Sequence, residues 1–195
     1  MNFIYTPNLK GFYDAIRPLF GTELSQSEFD GIDTILSVFN GLDVRYAAYA
    51  LATAYHETAK TMQPVPEYGR GKNYDYGKKL KMSRKPYTTP DKLYYGRGHV
   101  QLTWYENYAN MTSAAKKAGK SWDFLNNPEL MLQAEPSAWV MRYGMLNGAF
   151  TGKKLSDYFT ATTSAPINAR RIINGNDKAV LIAGYYEKFY NALVS

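Results

Sequence analysis

The sequence predicts a mainly α-helical domain with one irregular lobe. Apolar residues recur at helical spacing up to residue 57 and again from residue 104. Between these two regions lie four of the nine prolines, at positions 64, 66, 86 and 90, so no long regular helix can run through that stretch. A chain of 195 residues with 45% hydrophobic residues fits one globular domain, and we expect residues 1–195 to form it.

The first strong helix signal lies at about residues 25–40. Ser25 and Glu28 have the spacing of a capping box, in which each side chain binds the backbone of the other residue. Apolar residues then follow at intervals of three or four positions, and these are Phe29, Ile32, Ile35, Leu36 and Phe39. The pattern predicts a helix that ends before Gly41.

A second helix follows directly. Asp43 is a suitable N-cap, and the segment from Val44 to Tyr55 contains Arg45 as its only charged residue. Such a composition predicts a helix that is buried nearly all round. We expect it to end at His56-Glu57-Thr58, just before the prolines.

The composition of residues 64–98 predicts a long irregular or short-stranded lobe. Long loops in compact domains are usually functional. A helix is expected after it, from Trp104 to Lys117, ending near Gly119.

Three helices are predicted in the remainder of the chain. Asn127-Pro128 is expected to cap and open the first of these, which would send Leu130, Trp139, Val140, Tyr143 and Leu146 toward a core. A short helix is expected from Asn168 to Ile173, ended by Asn174-Gly175. Asp177 is then expected to cap the last helix, whose apolar residues are Val180, Leu181, Tyr185, Phe189 and Ala192.

Composition restricts the possible partners and compartments. The net charge of +6 favours an anionic partner such as nucleic acid, an acidic membrane surface or a phosphate-bearing cell envelope, although it also fits a role in solubility alone. The chain has 18 tyrosines, whose amphipathic rings suit a carbohydrate groove. Because no signal peptide or membrane-spanning stretch is recognisable, we expect the protein to be made in the cytoplasm.

The inventory of reactive side chains excludes several kinds of catalysis. His56 and His99 are the only histidines, and Lys60 occupies the place of the second histidine of an HExxH zinc motif. The absence of cysteine excludes thiolate catalysis and disulfides. No G-x-S-x-G elbow is present. We expect neither a metal nor a cofactor.

Paired carboxylates remain, and glycosidic cleavage needs such a pair. Glu57 is the best candidate for the acid, because burial and the negative end of a helix both disfavour its ionisation and should raise its pKa. Glu67 follows across two prolines and is expected to face it over a cleft. Three other carboxylates compete for the second role, although each also fits an ordinary surface charge: Asp75, Asp91 and Glu106.

The segment from Tyr94 to Trp104, YYGRGHVQLTW, with Asn107-Tyr108 after it, resembles the signature of glycoside hydrolase family 19, approximately YYGRGxxQLTWxxNY. This family contains plant-type chitinases and many bacteriophage endolysins. Three further stretches resemble its motifs in the same order: His56-Glu57-Thr58 its catalytic HET, Asn127-Pro128-Glu129-Leu130 its NPxL, and Ile172-Ile173-Asn174-Gly175 its IING turn.

The resemblance implies a lysozyme-like helical fold with a small irregular or β-hairpin lobe lining a substrate cleft. It also implies that Glu57 is the general acid and that Thr103 helps to hold the attacking water. Sugar contacts are implied for Gln101, Asn107 and Asn174. The predicted substrate-binding set is completed by His56, Tyr95, which either stacks on sugar or fills core, and Arg97, which the flanking glycines could place against a carboxylate.

Departures from the family affect the second carboxylate. Chitinases of the family carry it farther along the chain, in a segment that this sequence does not reproduce, so Glu67 is our choice of base. The plant cysteines are also missing. A short, basic, cysteine-free member resembles an endolysin that leaves the cytoplasm through a holin pore.

We therefore predict a monomeric, metal-free, inverting muramidase that acts on peptidoglycan or a related amino-sugar polymer. No separate cell-wall-binding domain is expected. Electrostatic contact with an anionic bacterial envelope is expected, with Lys178 and Lys188 contributing, whereas nucleic acid is not an expected partner. A chitinase, a lytic transglycosylase and a catalytically silent wall-binding module are the alternatives.

Overall fold

The computed structural model describes residue 3 and residues 9–195. This part of the chain contains seven α-helices and one two-stranded sheet. The helices are α1 (Lys10–Ile16), α2 (Gln26–Val38), α3 (Val44–Glu57), α4 (Tyr105–Lys117), α5 (Ala134–Asn147), α6 (Pro166–Ala169) and α7 (Ala179–Val194). The strands are β1 (Val65–Pro66) and β2 (Arg97–Gly98), which pair antiparallel with Val65 opposite Gly98. The mainly α-helical fold with a small irregular lobe is confirmed.

The chain divides into two compact units, residues 1–63 with 141–195 and residues 64–140. In the first unit, α3 packs against α7, and aromatic rings from both helices are buried there: Tyr49, Tyr55, Tyr186 and Phe189. None of the helices in the described residues is both long and apolar enough to cross a membrane. That residues 1–195 form a single domain stays a prediction.

Side-chain caps begin α2 and α3, as the sequence predicts. The Ser25 hydroxyl accepts a hydrogen bond from the Glu28 N–H at 3.2 Å, and the Glu28 carboxylate accepts one from the Ser25 N–H at 2.8 Å. Asp43 accepts from the Arg45 N–H at 2.9 Å. Every residue from 47 to 55 is buried, so the helix that was expected to be enclosed nearly all round is confirmed.

The second unit contains the irregular lobe predicted for residues 64–98. Its regular structure before α4 consists of β1, β2 and a 3₁₀ turn at Tyr68–Gly71. The predicted helix after the lobe is confirmed as α4, which ends at Lys117.

The single helix predicted from Asn127 through Leu146 is wrong. The chain forms a 3₁₀ helix at Pro128–Leu132 and then α5, with Gln133 extended between them, and the Asn127 side chain makes no capping hydrogen bond. The break changes the helical phase after Gln133. Among the five residues expected to face the core, only Val140 is fully buried, and the other buried side chains here include Met131, Ala138, Met141 and Met145.

The predicted start of the last helix is also wrong. Lys178, with a left-handed φ of 54°, precedes α7, and no side chain caps this helix. Two apolar residues of the predicted helix, Val180 and Leu181, are 73% and 45% exposed. The buried face consists of Ala179, Ile182, Ala183, Tyr186, Phe189 and Ala192. A continuous apolar run fits several helical phases, so periodicity alone could not select this one.

The short helix predicted from Asn168 to Ile173 is present but begins earlier. It consists of α6 from Pro166 and a 3₁₀ turn at Arg170–Ile172, and Gly175 follows with a positive φ of 55°.

Candidate active site

Glu57 is the last residue of α3, and its side chain is only 16% exposed. The Arg170 guanidinium donates a hydrogen bond of 2.7 Å from Nη1 to Glu57 Oε1. No hydrogen bond reaches Oε2 from the described residues. Burial and the helix end were the influences expected from the sequence, and the structure adds a paired cation.

Arg170 is itself firmly held. Its side chain is 1% exposed, and its Nε donates to the Asp177 carbonyl at 2.9 Å. The Arg170 carbonyl accepts a hydrogen bond from the Asn174 N–H at 3.0 Å, which connects the IING turn to the backbone of Arg170. Asn174, a predicted sugar contact, has an exposed side chain at this turn. The first unit therefore brings Glu57, Arg170 and Asn174 into one hydrogen-bonded region.

His56 precedes Glu57 in the last turn of α3 and is half-buried. Two residues on the same helix at intervals of four from Glu57, Tyr49 and Thr53, are fully buried. Their hydroxyl oxygens have no hydrogen-bond partner within the described residues. Burial raises the pKa of Tyr49, so this hydroxyl stays protonated.

Glu67 lies in the second unit, directly after β1, and its carboxylate is fixed by two donors. The Tyr76 hydroxyl lies 2.7 Å from Oε1 and 2.9 Å from Oε2, and the Gly96 N–H donates to Oε2 at 2.8 Å. Burial, followed by the hydrogen bond to Glu67, raises the pKa of Tyr76, which keeps this donor protonated. Oε1 retains a free lone pair on which a proton can be accepted.

Gln101, Thr103 and Asn107 follow one another along a hydrogen-bonded chain. Thr103 Oγ1 donates to the Gln101 carbonyl at 2.8 Å, and Asn107 Nδ2 donates to the Thr103 carbonyl at 2.8 Å. Gln101 Nε2 donates to the carbonyls of Val65 and Gly98 at 2.9 and 3.1 Å. Both amide oxygens lack a donor within the described residues, so they can accept hydrogen bonds from sugar hydroxyl or acetamido groups.

Arg97 is buried with its donors already engaged. The guanidinium forms an ion pair with Glu129 at 2.8 Å, which fulfils the expectation that it meets a carboxylate. It also donates to the Leu93 carbonyl at 2.9 Å and to the Tyr108 hydroxyl at 3.1 Å. The Tyr95 ring, 6% exposed, lies 3.5 Å from the guanidinium carbon. Because the Arg97 side chain is only 3% exposed, direct sugar contact requires the residues that cover it to move.

The three competing carboxylates have different surroundings. Asp75 forms an ion pair with Arg84, and Glu106 accepts from the Met82 N–H at 3.1 Å. Asp91 is exposed. Glu67 is distinguished from them by being fixed through donors next to the predicted sugar-contacting residue Gln101.

The predicted site residues thus form two groups, each inside one unit. His56, Glu57 and Asn174 belong to the first, and the second contains Glu67, Tyr95, Arg97, Gln101, Thr103 and Asn107. The facing of Glu57 and Glu67 across a cleft, and the role of each residue in substrate binding, stay predictions.

Sequence reasoning missed Arg170, Tyr76 and Glu129 as partners of the candidate residues. Arg170 lies 113 positions from Glu57, and Arg97 lies 32 from Glu129, so no local spacing relates them. No local signal distinguishes Arg170 from the neighbouring Arg171 in the sequence INARRIING. Within the described residues no group of three or more histidine, aspartate or glutamate side chains could hold a metal ion.

Comparison with known proteins finds solved structures that share this fold. No family model and no curated protein matches the sequence. Among solved structures, a family 19, class IV chitinase from Zea mays aligns with 94% of this chain and 91% of its own, at a TM-score of 0.58 and 17% identity. A bacterial family 19 chitinase aligns with 95% and 84%, at 0.50 and 23%. A chitinase C mutant aligns with 98% and 85%, at 0.51 and 23%. The chain therefore has the lysozyme-like fold of the family 19 chitinases.

Proposed function

We propose that this protein is a glycoside hydrolase that cuts β-1,4 bonds between amino sugars, with peptidoglycan as its substrate. The observation that carries the proposal is the Glu57 carboxylate at the end of the buried helix α3, held on one oxygen by Arg170. This glutamate stands within the HET sequence, and the fold is that of the family in which HET is catalytic. Motif, position and fold thus agree.

The chemistry requires two carboxylates and no metal. Glu57 Oε1 accepts from Arg170, so Oε2 is the oxygen that carries the proton. Glu57 gives this proton to the glycosidic oxygen as its bond to the anomeric carbon breaks. A water oxygen forms the new bond to that carbon from the opposite face and loses a proton to Glu67. The products are a new hydroxyl and a reducing end of inverted configuration.

Thr103 helps to orient the attacking water by accepting a hydrogen bond from it. Its hydroxyl proton is used in the bond to the Gln101 carbonyl, so toward a water molecule Thr103 Oγ1 acts as acceptor. A water that donates one proton to Thr103 and the other to Glu67 directs a lone pair away from both. This arrangement gives Thr103 a role in orientation, without proton transfer.

The biological role that we propose is that of a phage-type endolysin. The basic, cysteine-free composition supports it. The protein would act as a monomer on the wall after release through a holin pore, with Lys178 and Lys188 aiding contact with the anionic envelope. Chitin hydrolysis is the second candidate, because the solved structures that share the fold are described as chitinases.

Product analysis tests the proposal. Purified peptidoglycan and chitin oligomers are digested separately, and the new ends are identified by mass spectrometry and their anomeric configuration by NMR. Reducing N-acetylmuramic ends of the α-configuration are expected. Cleavage of chitin alone would make the protein a chitinase, anhydromuramic ends would make it a lytic transglycosylase, and binding without new ends would indicate a silent wall-binding module.

A further inference from the structure

The positive charge of the chain is concentrated in one stretch. Residues 68–92, here called the basic segment, contain eight basic and two acidic residues. The rest of the chain contains fifteen of each, so the whole net charge of +6 belongs to this segment. The eight basic residues are Arg70, Lys72, Lys78, Lys79, Lys81, Arg84, Lys85 and Lys92.

The structure leaves most of these cations unneutralised. Of the two acidic residues, Asp75 is taken up by Arg84 of the same segment. Five of the remaining cations are exposed and have no carboxylate partner within the described residues: Arg70, Lys72, Lys78, Lys79 and Lys85. Like charges collected on one short segment repel each other, and an anionic partner relieves this repulsion.

Aromatic rings connect the basic segment with the proposed second carboxylate. Tyr74 is 58% exposed and stacks on Tyr76, with ring centroids 5.4 Å apart and planes 14° apart. Tyr76 in turn holds Glu67 through its hydroxyl. Tyr68, which follows Glu67 directly, is fully exposed. Exposed rings beside free cations suit a sugar polymer that carries negative groups, because the ring face covers the sugar while the cations meet the charges.

We propose that the basic segment binds the carboxylates of the peptide side chains attached to the glycan strand on which Glu67 acts. This inference rests on the proposed function and deepens it. Peptidoglycan carries free carboxylates on its peptides, whereas chitin is uncharged. The segment thus selects an anionic glycan over a neutral one, a distinction that the sugar-contacting amides do not make.

Charge-matched variants of the full chain test the inference. The first replaces four lysines of the basic segment: Lys72→Gln, Lys78→Gln, Lys79→Gln and Lys85→Gln. The control removes the same charge from four exposed lysines elsewhere: Lys116→Gln, Lys117→Gln, Lys153→Gln and Lys154→Gln. Both are combined with Glu57→Gln, and sedimentation measures their binding to native peptidoglycan sacculi and to sacculi whose carboxylates have been converted to neutral amides.

We expect amidation to weaken binding of the Glu57→Gln parent by about tenfold, because several weak ion pairs with the exposed lysines are lost together. The basic-segment variant should bind native sacculi almost as weakly as the parent binds amidated ones. Amidation should weaken its binding by less than about twofold, because Arg70 is the only one of the five exposed cations that it retains. The control should behave as the parent does. Thermal unfolding of all three proteins verifies that they are folded.

Three results would overturn the inference. The first is equal binding of the parent to native and amidated sacculi, and the second is an equal loss of binding in the two lysine variants. The third is that the basic-segment variant binds a DNA duplex more weakly than the parent does but binds native sacculi equally well. Hydrolysis by the wild type is followed separately. If binding responds as expected but no glycosidic ends appear, the proposed function fails while the charge recognition stands.

Discussion

The Glu57 carboxylate and the Arg170 guanidinium form an ion pair of 2.7 Å between residues that lie 113 positions apart in the sequence. Arg170 is 1% exposed and Glu57 is 16% exposed, so removal of either side chain would leave the other as a poorly solvated charge. The pair fixes one carboxylate oxygen, and the second accepts no hydrogen bond from the described residues.

A double-mutant cycle measures this coupling. Arg170→Met should lower the free energy of unfolding by about 3–5 kcal/mol, because it leaves a buried carboxylate unpaired. Once Glu57→Gln is present, the same change should cost less by about 1–3 kcal/mol. Urea unfolding of the four proteins provides the values. Additive effects of the two changes would show that the ion pair is energetically unimportant.

Two buried threonines of the α3 region should respond oppositely to valine. Thr53 Oγ1 has no hydrogen-bond partner within the described residues, whereas Thr58 Oγ1 donates to the Ala54 carbonyl at 2.7 Å and accepts from the Met62 N–H at 3.0 Å. Thr53→Val should raise the free energy of unfolding by about 1 kcal/mol, since it removes an unsatisfied hydroxyl. Thr58→Val should lower it by about 1–3 kcal/mol. Chemical denaturation compares them, and equal shifts would contradict the assignment.

Gly98→Ala should destabilise the second unit. Gly98 has a φ of +86°, and an added Cβ would lie 2.5 Å from Ser137 Oγ and 2.9 Å from the Met131 carbonyl oxygen. The combined strain and backbone contact should lower the free energy of unfolding by about 3 kcal/mol. Denaturant titration checks the value, and an unchanged stability would show that β2 can shift without cost.

Gly96→Ala adds the same methyl group as Gly98→Ala, but we expect it to affect activity more than stability. Its Cβ would lie 3.3 Å from Glu67 Cβ and would come closest to two side-chain ends, 2.9 Å from Gln101 Oε1 and 3.1 Å from Glu67 Oε2. These atoms can move, so the stability loss should be about 1 kcal/mol or less. The displaced carboxylate should lower kcat for glycan hydrolysis by about tenfold or more. A wild-type kcat in a folded Gly96→Ala protein would argue against Glu67 as the base.

The charge of Asp43 should stabilise the fold in a pH-dependent way. Burial opposes its ionisation, but hydrogen bonds from the side chain and backbone of Arg45 outweigh this effect and hold the pKa of Asp43 below its ordinary value of 3.8. A lowered pKa in the folded state contributes stability above the unfolded pKa, and this contribution disappears as the pH falls below 3.8. Asp43→Asn keeps a capping oxygen, so it should cost about 1 kcal/mol at pH 7 and progressively less toward pH 3. A cost that is independent of pH would contradict this account.

Local signals predicted the elements that local contacts determine. The capping box of Ser25 and Glu28 and the cap at Asp43 act within three residues, so the sequence places the starts of α2 and α3 correctly. Pro136, in the first turn of α5, was a local signal for the break at Gln133, because proline disrupts the interior of a helix. The left-handed Lys178 carries no comparable signal. The predicted helix boundaries at both positions were wrong.

The candidate site divides in the same way. Glu57, Gln101, Thr103 and Asn107 were found because they stand in contiguous motifs. Arg170 was missed because its relation to Glu57 exists only after folding. Tyr76 was missed for another reason, since nothing in a segment rich in tyrosine and lysine singles out one ring that reaches Glu67.

The most direct test of the central claim compares Glu57→Gln with Glu187→Gln, a control at an exposed glutamate of α7, in the release of reducing N-acetylmuramic ends from purified peptidoglycan. The proposed acid role predicts that Glu57→Gln lowers this rate by about a hundred- to ten-thousandfold, while Glu187→Gln keeps the wild-type rate. Wild-type release of these ends by a folded Glu57→Gln protein would contradict the assignment of Glu57 as the catalytic acid.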